Sequence, residues 1–363
     1  MGRPVVMVAA GLLLILLLVA VAHSVAPEVS GKSALVQDKT GQTIKPEKES
    51  LLVRKVEGRS YFHLQELKRL GIQIDVDEEM GTVTLNEGAL TLHLVREAPV
   101  LSRNHRYLPV DATPLWEGEN EIWIPVEVVE VGFDRSVKVD SVKGVATVGP
   151  PAAEASAFSD HSPDSPEEIS VAQMIEYLSF LSSPIEGAQV SSQPSHLPGA
   201  PRTYRGGTHE GLDYYTAASG MVIDTDTAVI AAADGIIVRV DHDYVEMSEK
   251  QRNRLLEIAA RHQGQTPAHI FDKMRGRTVW IQHKNGVLTR YAHLDRVSPN
   301  LQLGDEVKRG DRVGYVGNSG TRDGVKGNDR GLHLHFDILI DDRWIWEPYT
   351  PAERRQILEG VFN

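Results

Sequence analysis

Cysteine is absent from all 363 residues. That excludes disulfides, a thiolate-bound structural zinc and the attachment of lipid to a cysteine. An excess of positive charge is missing too: 38 Lys and Arg stand against 50 Asp and Glu, a formal net charge of −12. No basic stripe offers to neutralise phosphates, so nucleic acid is excluded as a partner. Anionic polymers cannot be held by charge alone either, and contact with a glycan or a peptide must come from local pockets. Two motifs are also missing. His-Glu-x-x-His does not occur, because His209-Glu210 is followed by Asp213 where the second His would stand. The glycine-rich run 310–331 lacks Gly-Lys-Ser/Thr and leads into a strand, so it reads as turns rather than as a phosphate loop.

What is present is a set of histidines at useful spacings. Residues 331–340 alternate, with Leu332, Leu334, Phe336 and Ile338 on one side. A half-buried strand has period two, so those four are expected to face a core. His333, His335 and Asp337 then share the opposite face, open to a cleft. Upstream, His209 and Asp213 are four apart, joined through Gly211, and can turn toward one ion. One more imidazole from the C-terminal strand completes a His-Asp-His set, the donor types that catalytic zinc takes together with a water. Two neutral imidazoles and one carboxylate leave such an ion with net positive charge, so it stays a strong Lewis acid.

In order along the chain come His209-x-x-x-Asp213, Tyr291-Ala292-His293 and His333-Leu334-His335. Between them lie Ala233-Asp234-Gly235, Val307-Lys308-Arg309-Gly310-Asp311 and Gly314-Tyr315-Val316-Gly317-Asn318-Ser319-Gly320. With these, roughly residues 195–350 resemble the lysostaphin-type zinc endopeptidases, which cut the peptide part of bacterial peptidoglycan. The resemblance implies a mainly β catalytic domain of antiparallel sheets. It makes His209, Asp213 and His335 the ligands of Zn2+. His293 and His333 become the unliganded catalytic pair, one orienting or deprotonating the water, the other stabilising the tetrahedral intermediate or protonating the leaving amine. Tyr204 lies where some relatives carry an assisting tyrosine. His63, His93, His105, His161 and His196 match no motif, and His283, on the same strand side as Val279 and Ile281, is expected to pack rather than to bind.

One departure stands out from that pattern. About 30 residues separate Val238-Arg239-Val240 from Thr278-Val279-Trp280-Ile281, where relatives have a short connection. Leu255, Leu256, Ile258 and Ala259 share a helical face there, proline is absent from 248–261, and Gly264 follows as a stop. This helical insertion, about 245–276, is expected to wall the groove and narrow substrate choice. The stretch 321–330 can form a second wall.

The rest of the chain divides by composition. Residues 4–22 are apolar or neutral without a break and follow Arg3, long enough to cross a hydrocarbon core of about 30 Å. Residues 1–26 are therefore expected to be a signal peptide, with Ala20-Val21-Ala22 as its cleavage site, or a membrane anchor, which the length favours. Either way the remainder is expected outside the cytoplasm, anchored facing the wall or secreted. Residues 33–149 read as an α+β stalk domain with a weak internal repeat of strand, short helix ending at Gly71 or Gly132, and hairpin. This part resembles the copper amine oxidase N-terminal-like domain, without any copper-ligand spacing, and implies a spacer or wall-binding module with possible envelope protein partners. Residues 150–168, rich in Ser, Pro and acid, form a linker. The peptidase domain follows from 169 to 363, opening with a helix from Ser170. The expected activity is hydrolysis of peptide bonds in peptidoglycan crosslinks or stem peptides. The alternative is a non-hydrolytic envelope scaffold or a regulator of another wall hydrolase.

Overall fold

The computed structural model describes residues 48–152, 169–262 and 264–363. The expected N-terminal membrane or signal segment, and the linker beyond residue 152, lie outside the described residues. Among the described residues, no helix is long and apolar enough to cross a membrane.

Residues 48–152 build two antiparallel sheets. The larger runs in the order Arg135–Asp140, Val145–Pro151, Glu49–Val56, Arg59–His63, Glu121–Pro125, Leu115–Gly118. The other is a meander from Gln73–Asp77 to Arg106–Leu108. Alternate side chains such as Val83, Leu85, Leu92 and Leu94 are fully buried and pack with Phe62, Leu67 and Phe133. A short 3-10 helix, Leu64–Leu70, ends on Gly71 at φ 82°, a left-handed position that glycine takes without steric cost. Its start is capped by His63, whose Nδ1 accepts from the Gln65 N–H, so this histidine has a structural task. Gly132 differs from the expectation. It closes a π-helical turn, Val128–Gly132, without positive φ. Space is the constraint there: a Cβ would come within 2.4 Å of Leu92 Cδ1, so a larger residue would force the buried Leu92 side chain to shift.

The C-terminal part is mainly antiparallel β. Its principal sheet runs Leu212–Tyr215, His333–Ile340, Val287–Ala292, Val279–Gln282, Gly235–Val240, Glu306–Val307, with Arg343–Trp344 paired to His333–Ile340. A second sheet joins Ala228–Ile230, Arg312–Tyr315 and Arg296–Val297. Helices Val171–Leu178 and Pro351–Phe362 pack together on the core, each opened by a reciprocal capping box, Ser170 with Gln173 and Thr350 with Glu353. The insertion is helical, Glu249–Arg261 followed by Ala268–Met274. Ser248 and Gln251 cap the first of these helices, and Gly264 at φ 99° follows it.

The central strand His333–Ile340 is buried along all eight residues, not half-open as its alternation suggests. Leu334, Phe336 and Ile338 do face the main core. The opposite face begins as a cleft at His333 and His335. It ends under the N-terminal sheets, where Leu339, with Val238, Trp280 and Leu288, packs against Ala98, Val100 and Tyr107. Tyr107 crosses Trp280 edge to face at 5.2 Å and donates its hydroxyl to Asp342 Oδ1 at 2.7 Å. Arg106 pairs with Asp341 at 3.2 Å.

His283 packs as expected. Its ring nitrogens meet the Asp234 carbonyl and the Thr289 hydroxyl, and burial pushes its imidazole down to about 4. The unfolded chain therefore binds a proton at this residue between about pH 6.5 and 4 that the folded chain refuses. Its stabilising contribution is complete above the unfolded value and is lost as pH falls toward 4, by up to about 3 kcal/mol. Urea midpoints taken between pH 7.5 and 5 should fall with pH, and His283→Gln should flatten that slope; an unchanged slope would refute the assignment.

Candidate metal centre

Strand register assembles the cluster. Leu212–Tyr215 pairs with His333–Ile340 so that Asp213 lies opposite His335 and Tyr215 opposite His333. His209 enters from the preceding turn, which presses against the same strand at Gly211. A Cβ on Gly211 would stand 2.4 Å from the Phe336 carbonyl oxygen and 2.7 Å from Asp337 Oδ1, so only glycine lets the turn close this tightly.

Three donor atoms converge. His209 Nε2 lies 2.9 Å from Asp213 Oδ1 and 3.0 Å from His335 Nδ1, and His335 Nδ1 lies 2.9 Å from Asp213 Oδ1. Tetrahedral ligands at zinc distances of about 2.0–2.1 Å sit about 3.3 Å apart, so a small spread admits the ion. Each candidate donor is aimed by a partner on its far side, as metal-binding side chains are. His209 Nδ1 donates to the Leu197 carbonyl at 3.1 Å, and His335 Nε2 bonds Asp337 Oδ1 at 2.7 Å. Asp213 Oδ2 accepts from Arg202 at 3.1 Å, which leaves Oδ1 for the cluster. Asp337 is fully buried and held in turn by Arg275 Nε at 3.1 Å. Among the described residues, His209, Asp213 and His335 form the one His/Asp/Glu group able to hold a metal.

The electrostatics call for a cation at this point. Burial alone would lower the His335 imidazole, yet the Asp337 carboxylate and the bonds to Asp213 and Asp337 outweigh it and push it up to about 10. Burial alone would raise Asp213, yet the imidazoles of His209, His335 and His333 hold its carboxyl well below the usual range. A proton or a metal ion answers that demand, and the unprotonated imidazoles supply the lone pairs a metal needs.

His293 and His333 flank the cluster. His293 Nδ1 donates to the Ser319 carbonyl at 2.7 Å and His333 Nδ1 to the Gly331 carbonyl at 2.8 Å. Each therefore keeps Nε2 unprotonated, and His333 Nε2 lies 3.9 Å from Asp213 Oδ1. Burial, aided by the other imidazoles, holds His293 well below its ordinary value, and burial pushes His333 down to about 4. His293 adopts φ 61°, a costly conformation for a residue with a Cβ, and is fixed there by its N–H donating to the Arg275 carbonyl at 2.9 Å.

The cluster opens into a cleft of about 610 Å³. Tyr204 lines it, half exposed. The insertion does form a wall, through Arg252, Leu256, Phe271 and Met274, and Gly320, Thr321 and Arg322 form another. Four contributors escaped the sequence reading: Tyr215, Arg202, Arg205 and Arg275. Tyr215 stacks flat on His333, with ring centroids 4.3 Å apart, and His196 also packs against it, tilted, at 4.5 Å. Its parity with Asp213 on one strand was the available signal. Arg205 binds both oxygens of Glu210, which occupies that carboxylate. His93 bonds Thr84, and no histidine of residues 48–152 belongs to a metal cluster.

Fold and cluster define a class: an antiparallel β protein with a buried His-Asp-His site at the mouth of a sheet. Residues 207–346 match the model of Peptidase family M23, so the lysostaphin-type resemblance holds over that stretch of the chain. The chain is 26% identical to the peptidoglycan DD-endopeptidase ShyC of Vibrio cholerae over 162 residues, 45% of this chain and 27% of that protein. It is 37% identical to the peptidoglycan DD-endopeptidase ShyA of the same organism over 68 residues, 19% of this chain and 14% of that one. The chain thus spans about a quarter or less of the length of these relatives. Among solved structures, the catalytic domain of lysostaphin from Staphylococcus simulans matches at 18% identity and a TM-score of 0.24, covering 49% of this chain and 90% of that one.

Proposed function

We propose that this chain is a zinc-dependent endopeptidase that hydrolyses peptide bonds in peptidoglycan crosslinks or stem peptides. The observation that carries the reading is the convergence of His209 Nε2, Asp213 Oδ1 and His335 Nδ1 beside two neutral imidazoles with free Nε2 atoms. The names of the relatives, both peptidoglycan DD-endopeptidases, support the substrate class. His209, Asp213 and His335 would hold the ion, which when bound supplies Lewis acidity that acidifies water and polarises a peptide carbonyl. His293 and His333 divide the proton work: Nε2 of one accepts a proton from the attacking water, and the pair returns it to the leaving amine. The carbonyls of Ser319 and Gly331 fix both tautomers, so no proton must move before the reaction starts. Tyr215, flat against His333, holds that ring in place and keeps water from its face.

The chain would act outside the cytoplasm, carried by the apolar run at 4–22, with residues 48–152 as a stalk reaching toward wall or protein partners. The complete five-residue set weighs against the scaffold alternative. Metal analysis separates the two: one zinc per chain, removed by chelation together with activity, supports the enzyme. A folded chain that takes up no zinc contradicts it.

Asp337 gives a second test. Its carboxylate orients His335 and raises the basicity of Nδ1, and loss of such an outer partner weakens metal binding by about 10–100-fold. Asp337→Asn should show that loss in a competition titration against a zinc chelator. Unchanged affinity would remove Asp337 from the account.

A further inference from the structure

The cleft is rich in arginine although the chain is acidic overall. Three of its five arginines are committed: Arg202 to Asp213, Arg205 to Glu210, Arg275 to Asp337. Arg252 and Arg322 are not; neither has a carboxylate within ion-pair distance among the described residues. Arg252 stands on the inserted helix Glu249–Arg261 one turn before Leu256, and both side chains line the cleft. Its Nε donates to the Gly320 carbonyl at 3.4 Å, and among the described residues its two terminal nitrogens have no hydrogen-bond partner. The neighbouring Glu246 is occupied, accepting from the Gly320 N–H at 2.8 Å and the Tyr244 hydroxyl at 2.8 Å. Burial holds the Arg252 guanidinium below its usual value and Arg322 adds to this, while Tyr204, Glu246 and Asp323 act in the opposite direction. A half-buried guanidinium whose terminal N–H donors are open gains from an incoming anion that pairs with them.

We infer that the inserted helix makes a carboxylate-reading subsite, in which Arg252, assisted by Arg322, binds a free carboxylate of the substrate peptide. This rests on the endopeptidase reading for its substrate class, and it gives the insertion a specific task. The planar guanidinium suits a carboxylate through paired N–H donors, and an amide in its place offers one acceptor and no charge. The wall carrying Arg252 thus sorts peptides by whether their carboxyl groups are free or amidated.

Binding tests this independently of turnover. The probes are a stem-type pentapeptide with free carboxylates and the same peptide with those carboxylates amidated. They are titrated calorimetrically into the full chain, loaded with zinc and carrying His293→Ala so that the peptide stays intact. The free form should bind about 10–100-fold more tightly than the amide. Arg252→Gln should bring the two within about twofold, Arg322→Gln should give a smaller loss, and Arg252→Lys should restore part of the preference. Equal binding of both peptides, or a preference that survives Arg252→Gln in a protein with an unchanged melting curve, would overturn the subsite. Cleavage by the chain with native His293 is scored separately. Cleavage without discrimination overturns the subsite and leaves the endopeptidase reading, whereas discrimination without cleavage does the reverse.

Discussion

On the proposed function, Asp213→Ala is expected to hold no stoichiometric zinc and to lose peptidase activity by about a thousandfold or more. Two effects add. The cluster loses the carboxylate oxygen that lies 2.9 Å from both imidazole donors. Arg202, left without its 3.1 Å partner, then brings an uncompensated positive charge toward the place where the cation should sit. Neither effect touches the apolar core, so the protein should still melt cooperatively. Metal analysis and turnover on one sample check this. Zinc retained at the wild-type ratio would show that the three donors are not the metal site.

His293→Ala separates chemistry from metal binding. His293 contributes no atom to the converging trio, so zinc content should be unchanged while kcat falls by about 10²–10⁴. The pH profile carries the sign of the same argument. In the proposed reaction both flanking imidazoles work unprotonated, and burial holds both below their ordinary value, His333 at about 4. Activity should therefore stay level through neutrality and fall only as acid protonates them, below the ordinary histidine range near 6.5. A limb centred at or above 6.5 would contradict the assignment, and so would a His293→Ala protein with near-normal kcat.

The site was more legible than its support. His209, Asp213, His293, His333 and His335 announce themselves because their spacings are local, and one strand register brings the two halves together. Asp337 was visible as a member of the polar face, but its task is set by Arg275, which no periodic pattern marks and which lies 62 residues away in sequence. Arg202 is equally silent, since a surface arginine and a clamp on Asp213 look alike in a linear chain. Local alternation identified the strand at 333–340 and its core side. It could not show that the far end of the polar face lies under Tyr107 and Val100, because packing between sheets leaves no trace in the period of either. Gly132 teaches the same lesson on a smaller scale: a glycine chosen for a neighbour's bulk reads in sequence like one chosen for its backbone.

The most direct test of the central claim is digestion of purified peptidoglycan by the zinc-loaded chain, with His293→Ala beside it and the released fragments read by mass spectrometry. New amino termini from the native protein alone are the expected result, and their sequence names the bond cut. A folded chain that binds zinc and releases nothing from peptidoglycan or from isolated crosslinked peptides would contradict the endopeptidase account.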